Sequence, residues 1–90
     1  MKQWFVYLLQ GRQQRFYCGI TTDLERRVQE HNTDRSRASK CAWAARPLRL
    51  VWSMPADSRS EASRIEAQVK RLKRPQKVAL VEGALVLKKA

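Results

Sequence analysis

Long apolar runs are missing from this chain, and their absence removes the first class of function. The longest, residues 5–9 with Trp4 ahead of it, falls far short of the roughly 20 residues a bilayer-spanning helix needs. With 30% of its residues charged, the chain does not read as a membrane protein. The N-terminus has neither a long apolar segment nor a small-residue cleavage site, so a cytoplasmic protein without a secretory leader is expected. Histidine occurs once and cysteine twice, at Cys18 and Cys41, which leaves no zinc-binding set. In a reducing compartment both thiols are expected to stay free as small buried hydrophobes, although their number alone permits a disulfide. Acids are scarce too, 8 against 19 Lys and Arg, for a formal net charge of +11.

So large an excess of one sign on a small domain points to a polyanion partner. Nucleic acid ranks ahead of an anionic membrane. Membrane binding needs bulky apolar residues on a basic helix, and the helical stretches here carry Ala, Val and single Leu or Ile residues. At 90 residues and 43% hydrophobic content, the chain can bury one modest core. One domain is expected over residues 1–83, followed by a tail over 84–90.

In chain order, residues 4–10 are aromatic and β-branched at their start, as in a strand buried on both faces. Gly11 and the polar run Arg12, Gln13, Gln14 suggest a hairpin turn, and residues 15–21 return as a second strand. Pairing Leu9 with Arg15 would set Tyr7 opposite Tyr17 on one face. Thr22 and Glu25 read as a capping box for a helix over about residues 23–31. That helix turns Leu24, Val28 and His31 inward and has Asn32 as a left-handed stop. In the long link over 33–46, Arg35, Arg37, Lys40 and Arg46 face one acid, Asp34, and residues 40–45 could supply a short helical turn. Trp43 in this link suits either an unstacked base or a place in the core. A third strand over 48–52 puts Leu48, Leu50 and Trp52 on one face, with Pro55 as its end. Ser58 and Glu61 form a second capping box, for a helix over about residues 59–74. Pro75 then opens a short helix that Gly83 stops. The tail is read as either a short strand or a docked extension.

Chemistry concentrates in residues 17–32. Tyr17 lies on the second strand, and at Gly19 the backbone can bend or a ligand can come close. Arg27 and His31, four apart, are neighbours on one helix face. A phenol, a guanidinium and an imidazole beside a glycine suit a phosphate. Glu66 is the second notable feature. Ala62, Ile65, Val69 and Leu72 make the buried arc of the second long helix, and Glu66 falls inside it, about 40° from Ala62 and about 60° from Val69. The other acids sit around helix starts, where the dipole favours them, or on faces and loops expected to be solvated. A carboxylate turned toward the core is costly unless paired or metal-bound. An ion pair with Arg27 or another cation would meet that need, and so would a metal. In an acid-poor chain with an apparent phosphate site we take the metal, because one carboxylate suffices for Mg²⁺.

In this order the residues resemble the GIY-YIG nuclease domain. Phe5-Val6-Tyr7 is similar to its first signature and Tyr17-Cys18-Gly19 to its second. Arg27, His31 and Glu66 fall where the family has its helix arginine, a histidine of some branches, and its metal-binding glutamate. The likeness runs over about residues 4–77 and is nearest to the small stand-alone bacterial members. The first signature lacks its glycine, Cys18 replaces a β-branched residue, and Ile20 stands where some members carry lysine. The late asparagine of some members has no obvious match.

The resemblance implies an α/β (α+β) fold, a three-stranded antiparallel sheet flanked by helices in the order β-β-α-β-α-α. It also implies hydrolysis of DNA phosphodiesters with one Mg²⁺ or Mn²⁺ held by Glu66. Tyr17 would be the general base, its pKa lowered by nearby cations, and Arg27 would offset charge on the phosphoryl oxygens. Tyr7 would orient Tyr17 or water, and His31 would be a helper base or a phosphate contact. Arg35, Arg37, Lys40, Lys70 and Lys73 are expected to contact nucleic acid. Branched and single-stranded DNA both fit, RNA is not excluded, and a protein partner could supply specificity. The alternative is a nucleic-acid-binding module of the same fold without turnover.

Overall fold

The sheet forms around the one strand that is apolar on both faces. In the computed structural model, which describes residues 2–38 and 40–87, β1 (Trp4–Gln10) is central. β2 (Phe16–Thr21) and β3 (Arg49–Ala56) flank it, both antiparallel, in the order β2-β1-β3. Val6 and Leu8 face α3 (Arg59–Arg71) and α4 (Arg74–Val81), where they pack with Ala62, Ile65, Val69 and Leu80. Tyr7 and Leu9 face the opposite layer, α1 (Leu24–Thr33) and α2 (Lys40–Ala44), and pack with Ala42, Leu24 and Val28. The two-residue alternation of a strand thus builds two half-cores from four consecutive buried residues. This is the expected α+β architecture, with the short α2 adding one element to the expected order.

The register differs from the expected one by two residues. Tyr7 pairs with Gly19 and Leu9 with Tyr17, because the turn takes five residues, 11–15, including a 3₁₀ turn over Arg12–Gln14. A shift of two keeps every side chain on its face, so Tyr7 and Tyr17 become diagonal neighbours on the same side. The cap of α1 moves one residue along. Asp23, not Thr22, accepts from the Arg26 N–H at 3.1 Å. Asn32 does not stop α1 but lies within it. Its Nδ2 donates to the Leu48 carbonyl at 2.9 Å, and its Oδ1 accepts from the Leu48 N–H at 2.7 Å. That tertiary clamp outweighs the residue's local preference for a left-handed stop.

β3 departs from the expectation through a bulge. Leu8 pairs with Trp52 and Leu9 with Leu50, so Val51 is the extra residue and the alternation breaks there. Leu48 therefore packs in the α1/α2 half-core and Trp52 against the other, while Leu50 is 40% exposed. Pro55 does not end the strand, since an edge strand tolerates a missing N–H. Ser58 caps α3 as expected, accepting from the Glu61 N–H at 3.1 Å. The buried Glu61 carboxylate in turn accepts from the Asp57 N–H at 3.0 Å. α3 ends at Arg71, and Pro75 occupies the first turn of α4. Gly83, at φ +82°, closes α4 with its N–H on the Leu80 carbonyl at 3.2 Å, and Ala84 N–H reaches the Ala79 carbonyl at 2.9 Å. Beyond it Leu85 and Leu87 dock on the α3/α4 side of the core, and residues 88–90 of the expected tail lie outside the described residues. Among the described residues no helix is long and apolar enough to cross a membrane.

Candidate functional site

Because β2 is an edge strand, side chains from both faces of the sheet can open onto one cleft along it. A cleft of about 490 Å³ does so, and Tyr7, Tyr17, Arg27, His31 and Glu66 all line it. The side of β2 facing α1 presents Tyr17 and Gly19, and the side facing α3 presents Cys18. Lys70 of α3 and Lys77 of α4 complete the wall.

Tyr7 is the buried post of this site. Its ring crosses Gly19, where an added Cβ would fall 2.5 Å from Cζ. The glycine is therefore needed for the approach of Tyr7, rather than for a backbone bend or a ligand. The Tyr7 hydroxyl lies 3.1 Å from His31 Nε2, and the two rings meet edge to face. Burial raises the phenol above its ordinary pKa, and a hydrogen bond and positive charge from Arg27 pull it partly back. Burial, seconded by the Arg27 charge, lowers the His31 pKa against the opposing pull of Glu30, so the imidazole is neutral at pH 7. His31 Nδ1 is buried without a hydrogen-bond partner among the described residues.

Arg27 Nη1 donates to Glu30 Oε1 at 3.2 Å and to the Arg37 carbonyl at 3.0 Å, so the guanidinium is held between α1 and the link after it. The ion pair between Arg27 and Glu66 allowed by the sequence does not form. Glu66 instead pairs with Lys70 Nζ at 3.5 Å, one turn along α3. Nor does Glu66 sit in the core, since its side chain is 23% exposed at the cleft wall. The Tyr17 hydroxyl donates to the Cys41 carbonyl at 3.3 Å. Burial, and next the charge of Glu66, push the Cys18 thiol up to about 12, which makes it an unreactive wall of the cleft. Cys41 is exposed rather than buried, and both thiols are free.

A divalent cation fits these residues in one way. Among the described residues no three His, Cys, Asp or Glu side chains cluster, so the protein alone offers no closed cage. Glu66 is, among the described residues, the only carboxylate lining the cleft, and its partner Lys70 is mostly exposed. One such carboxylate is enough for Mg²⁺ when substrate phosphate oxygens and water fill the other positions.

The expected nucleic-acid contacts divide. Lys70 lines the cleft, whereas Lys40 borders a neighbouring hollow with Arg12 and Arg15. Arg35 and Lys73 are exposed away from the cleft wall. Arg37 is engaged by Asp34 at 3.3 Å and by Glu30 at 3.8 Å. Sequence reasoning missed Lys77, Arg74 and Arg15, which with Tyr17 and Phe16 line a hollow beside the cleft. The signal for Lys77 and Arg74 was the spacing Lys70, Arg74, Lys77, masked by the break between α3 and α4. One face of Trp43 is covered by the Arg46 guanidinium, 3.4 Å from the ring centre, so that face takes no base.

Comparison with known proteins bears on the family and the fold. A family model described as the GIY-YIG catalytic domain matches residues 3–79. A UPF0213 protein of Vibrio cholerae is 46% identical over 81 residues, covering 89% of this chain and 78% of its own. The UPF0213 protein YhbQ of Escherichia coli K12 is 44% identical over 85 residues, covering 93% of this chain and 83% of its own. A solution NMR structure of the UPF0213 protein BH0048 from Bacillus halodurans is 35% identical, with a TM-score of 0.55 over 89% of this chain and 83% of that one.

Proposed function

Since this chain belongs to the GIY-YIG catalytic domain family, which implies a nuclease, we propose that it is a metal-dependent endonuclease that hydrolyses phosphodiester bonds in DNA. The observation that carries this reading is the convergence of Tyr7, Tyr17, Arg27, His31 and Glu66 on one cleft, walled by Lys70 and Lys77. That set supplies what phosphodiester hydrolysis needs: a group to take a proton from water, cations for the phosphoryl oxygens, and a carboxylate for a metal.

Tyr17 is the general base in this proposal. Its phenol stands at the lip of the cleft, only half-buried; it gives its own proton to solvent, leaves the Cys41 carbonyl, and as phenolate takes the proton of the attacking water. Water oxygen attacks phosphorus in line, and the bond to the leaving oxygen breaks as that oxygen takes a proton from solvent. Tyr7 is too buried for that part, and its raised pKa opposes ionisation. Held by His31 and pressed on Gly19, it serves as a positioning residue for the water and for Arg27. Arg27 presents its planar fork to two phosphoryl oxygens, which suits it better than lysine. Glu66 would hold Mg²⁺ or Mn²⁺ together with substrate phosphate oxygens, and the ion would neutralise charge on the scissile phosphate. Lys70, released from Glu66, would move to the same phosphate.

Cleavage of branched, duplex and single-stranded DNA and of RNA, each with Mg²⁺, Mn²⁺ or EDTA, tests the proposal. Metal-dependent cleavage of DNA abolished by EDTA is expected. Binding without cleavage of any of these substrates would make the protein a nucleic-acid-binding module of the same fold.

A further inference from the structure

Beside the cleft runs a second and larger depression that the chemistry above does not use. This groove, of about 560 Å³, has Phe16, Val78 and Val81 on its floor and Arg12, Arg49 and Arg74 on its rim. No carboxylate lines it, and among the described residues none of the three arginines forms a salt bridge. Among the described residues the guanidinium hydrogen bonds of Arg74 and Arg49 go to neutral amides, Arg74 Nη2 donating to Gln14 Oε1 at 3.4 Å and Arg49 Nη2 to Gln10 Oε1 at 3.3 Å. Long, exposed bonds of that kind yield readily to a stronger acceptor.

Three features tie the groove to the cleft. Phe16 lines both, and with Arg74 it also lines the hollow that contains Tyr17 and Lys77, so the surface is continuous. The Arg74 guanidinium stands 5.2 Å from the centre of the Phe16 ring, a cation over an aromatic that leaves the outer guanidinium face open to a further flat group. The groove wall at the β1–β2 turn is also strained. Gln14, which lines the groove, and its neighbour Gln13 both have φ of 58°, a left-handed conformation that side chains other than glycine rarely adopt and that clusters at ligand sites.

We propose that this groove binds an unpaired nucleobase of the nucleic-acid strand that passes through the cleft. The base stacks on the outer face of the Arg74 guanidinium, which Phe16 backs, and Arg12 and Arg49 take the flanking phosphates. A paired base has no free face to offer, so the groove selects substrates with a single-stranded segment next to the scissile bond. The inference deepens the nuclease reading but rests on it only for the direction of the strand.

The test is equilibrium binding of the full-length protein in EDTA, read by fluorescence anisotropy. Three DNAs are compared: a blunt duplex, the same duplex with a short thymidine tail, and one whose tail carries abasic sugars with the same phosphates. Stacking of a base is worth about 5- to 150-fold. The thymidine tail should therefore tighten binding at least about fivefold over the abasic tail. Arg74→Ala should erase that difference, weakening binding of the thymidine-tailed DNA at least about fivefold more than binding of the abasic-tailed or blunt DNA. Should Arg74→Ala lower stability, Arg49→Gln, which removes a guanidinium hydrogen bond to Gln10, should weaken tailed DNA more than blunt. Equal affinity for thymidine and abasic tails, or equal losses on all three DNAs, would overturn the subsite and leave only general charge. Failure to cleave any substrate would instead remove the nuclease reading and leave this binding result standing.

Discussion

Gly19 and Tyr7 face each other across the β1–β2 ladder, and the tyrosine ring occupies the space where a side chain at residue 19 would stand. This pairing explains a glycine in the middle of an edge strand, where it otherwise weakens the sheet.

Gly19→Ala should therefore overpack the site. The cost expected is about 1–3 kcal/mol, read as a drop in melting temperature of roughly 4 °C or more. Removing the ring should relieve it, so Gly19→Ala combined with Tyr7→Ala should be less destabilised than the two losses summed. Additive losses would mean the two residues do not meet.

Between pH 7.5 and pH 5 stability should fall. His31 is held neutral by burial and by the Arg27 charge, facing Tyr7 and Arg27 with only Glu30 in opposition. Its folded pKa lies below the unfolded value of about 6.5, so the unfolded chain binds the extra proton first and stability is lost as pH drops below about 6.5. Asp34, the other acid-range group with a lowered pKa, titrates well below this window. Thermal melts of wild type and His31→Gln should show the slope in the first and its loss in the second. An unchanged slope in the variant would assign it elsewhere.

Much of this was readable because residue identity and local spacing agreed. The double-faced strand, the Ser58 cap, the Gly83 stop and the inward stripe of Leu24, Val28 and His31 follow from periodicity and backbone chemistry that act within a few residues. The five candidate site residues are legible from their order along the chain together with the resemblance to the GIY-YIG domain, and all five line one cleft. What could not be read depended on partners distant in sequence. Asn32 reads as a stop signal until Leu48, far along the chain, supplies its backbone groups. The bulge at Val51 answers to β1 and not to β3's own residues. Glu66 looks buried on a helical wheel, yet the cleft beside an edge strand exposes it to Lys70 and solvent. Lys77 and Arg74 were hidden because the turn between two helices, at residues 72–73, resets the helical phase.

Tyr17→Phe removes one oxygen and one exposed hydrogen bond to the Cys41 carbonyl. Stability should change by less than about 1 kcal/mol, while cleavage falls about 10²–10⁴-fold if this phenol takes the proton from water. Cleavage within a few-fold of wild type would pass the role of base to His31.

Affinity for duplex DNA should fall linearly on a log–log plot against salt. The slope should be near −0.9 for each phosphate neutralised, as expected of a chain with net charge +11. A flat response would contradict electrostatic binding.

Glu66→Gln bears most directly on the central claim. The substitution keeps the shape of the cleft wall, removes the carboxylate available to a divalent cation, and frees Lys70. Cleavage and DNA binding should be measured side by side on one preparation across a Mg²⁺ titration. The account predicts DNA affinity equal to or slightly above wild type, an unchanged melting temperature, and cleavage lost at every Mg²⁺ concentration. Cleavage retained with unaltered Mg²⁺ dependence would contradict it.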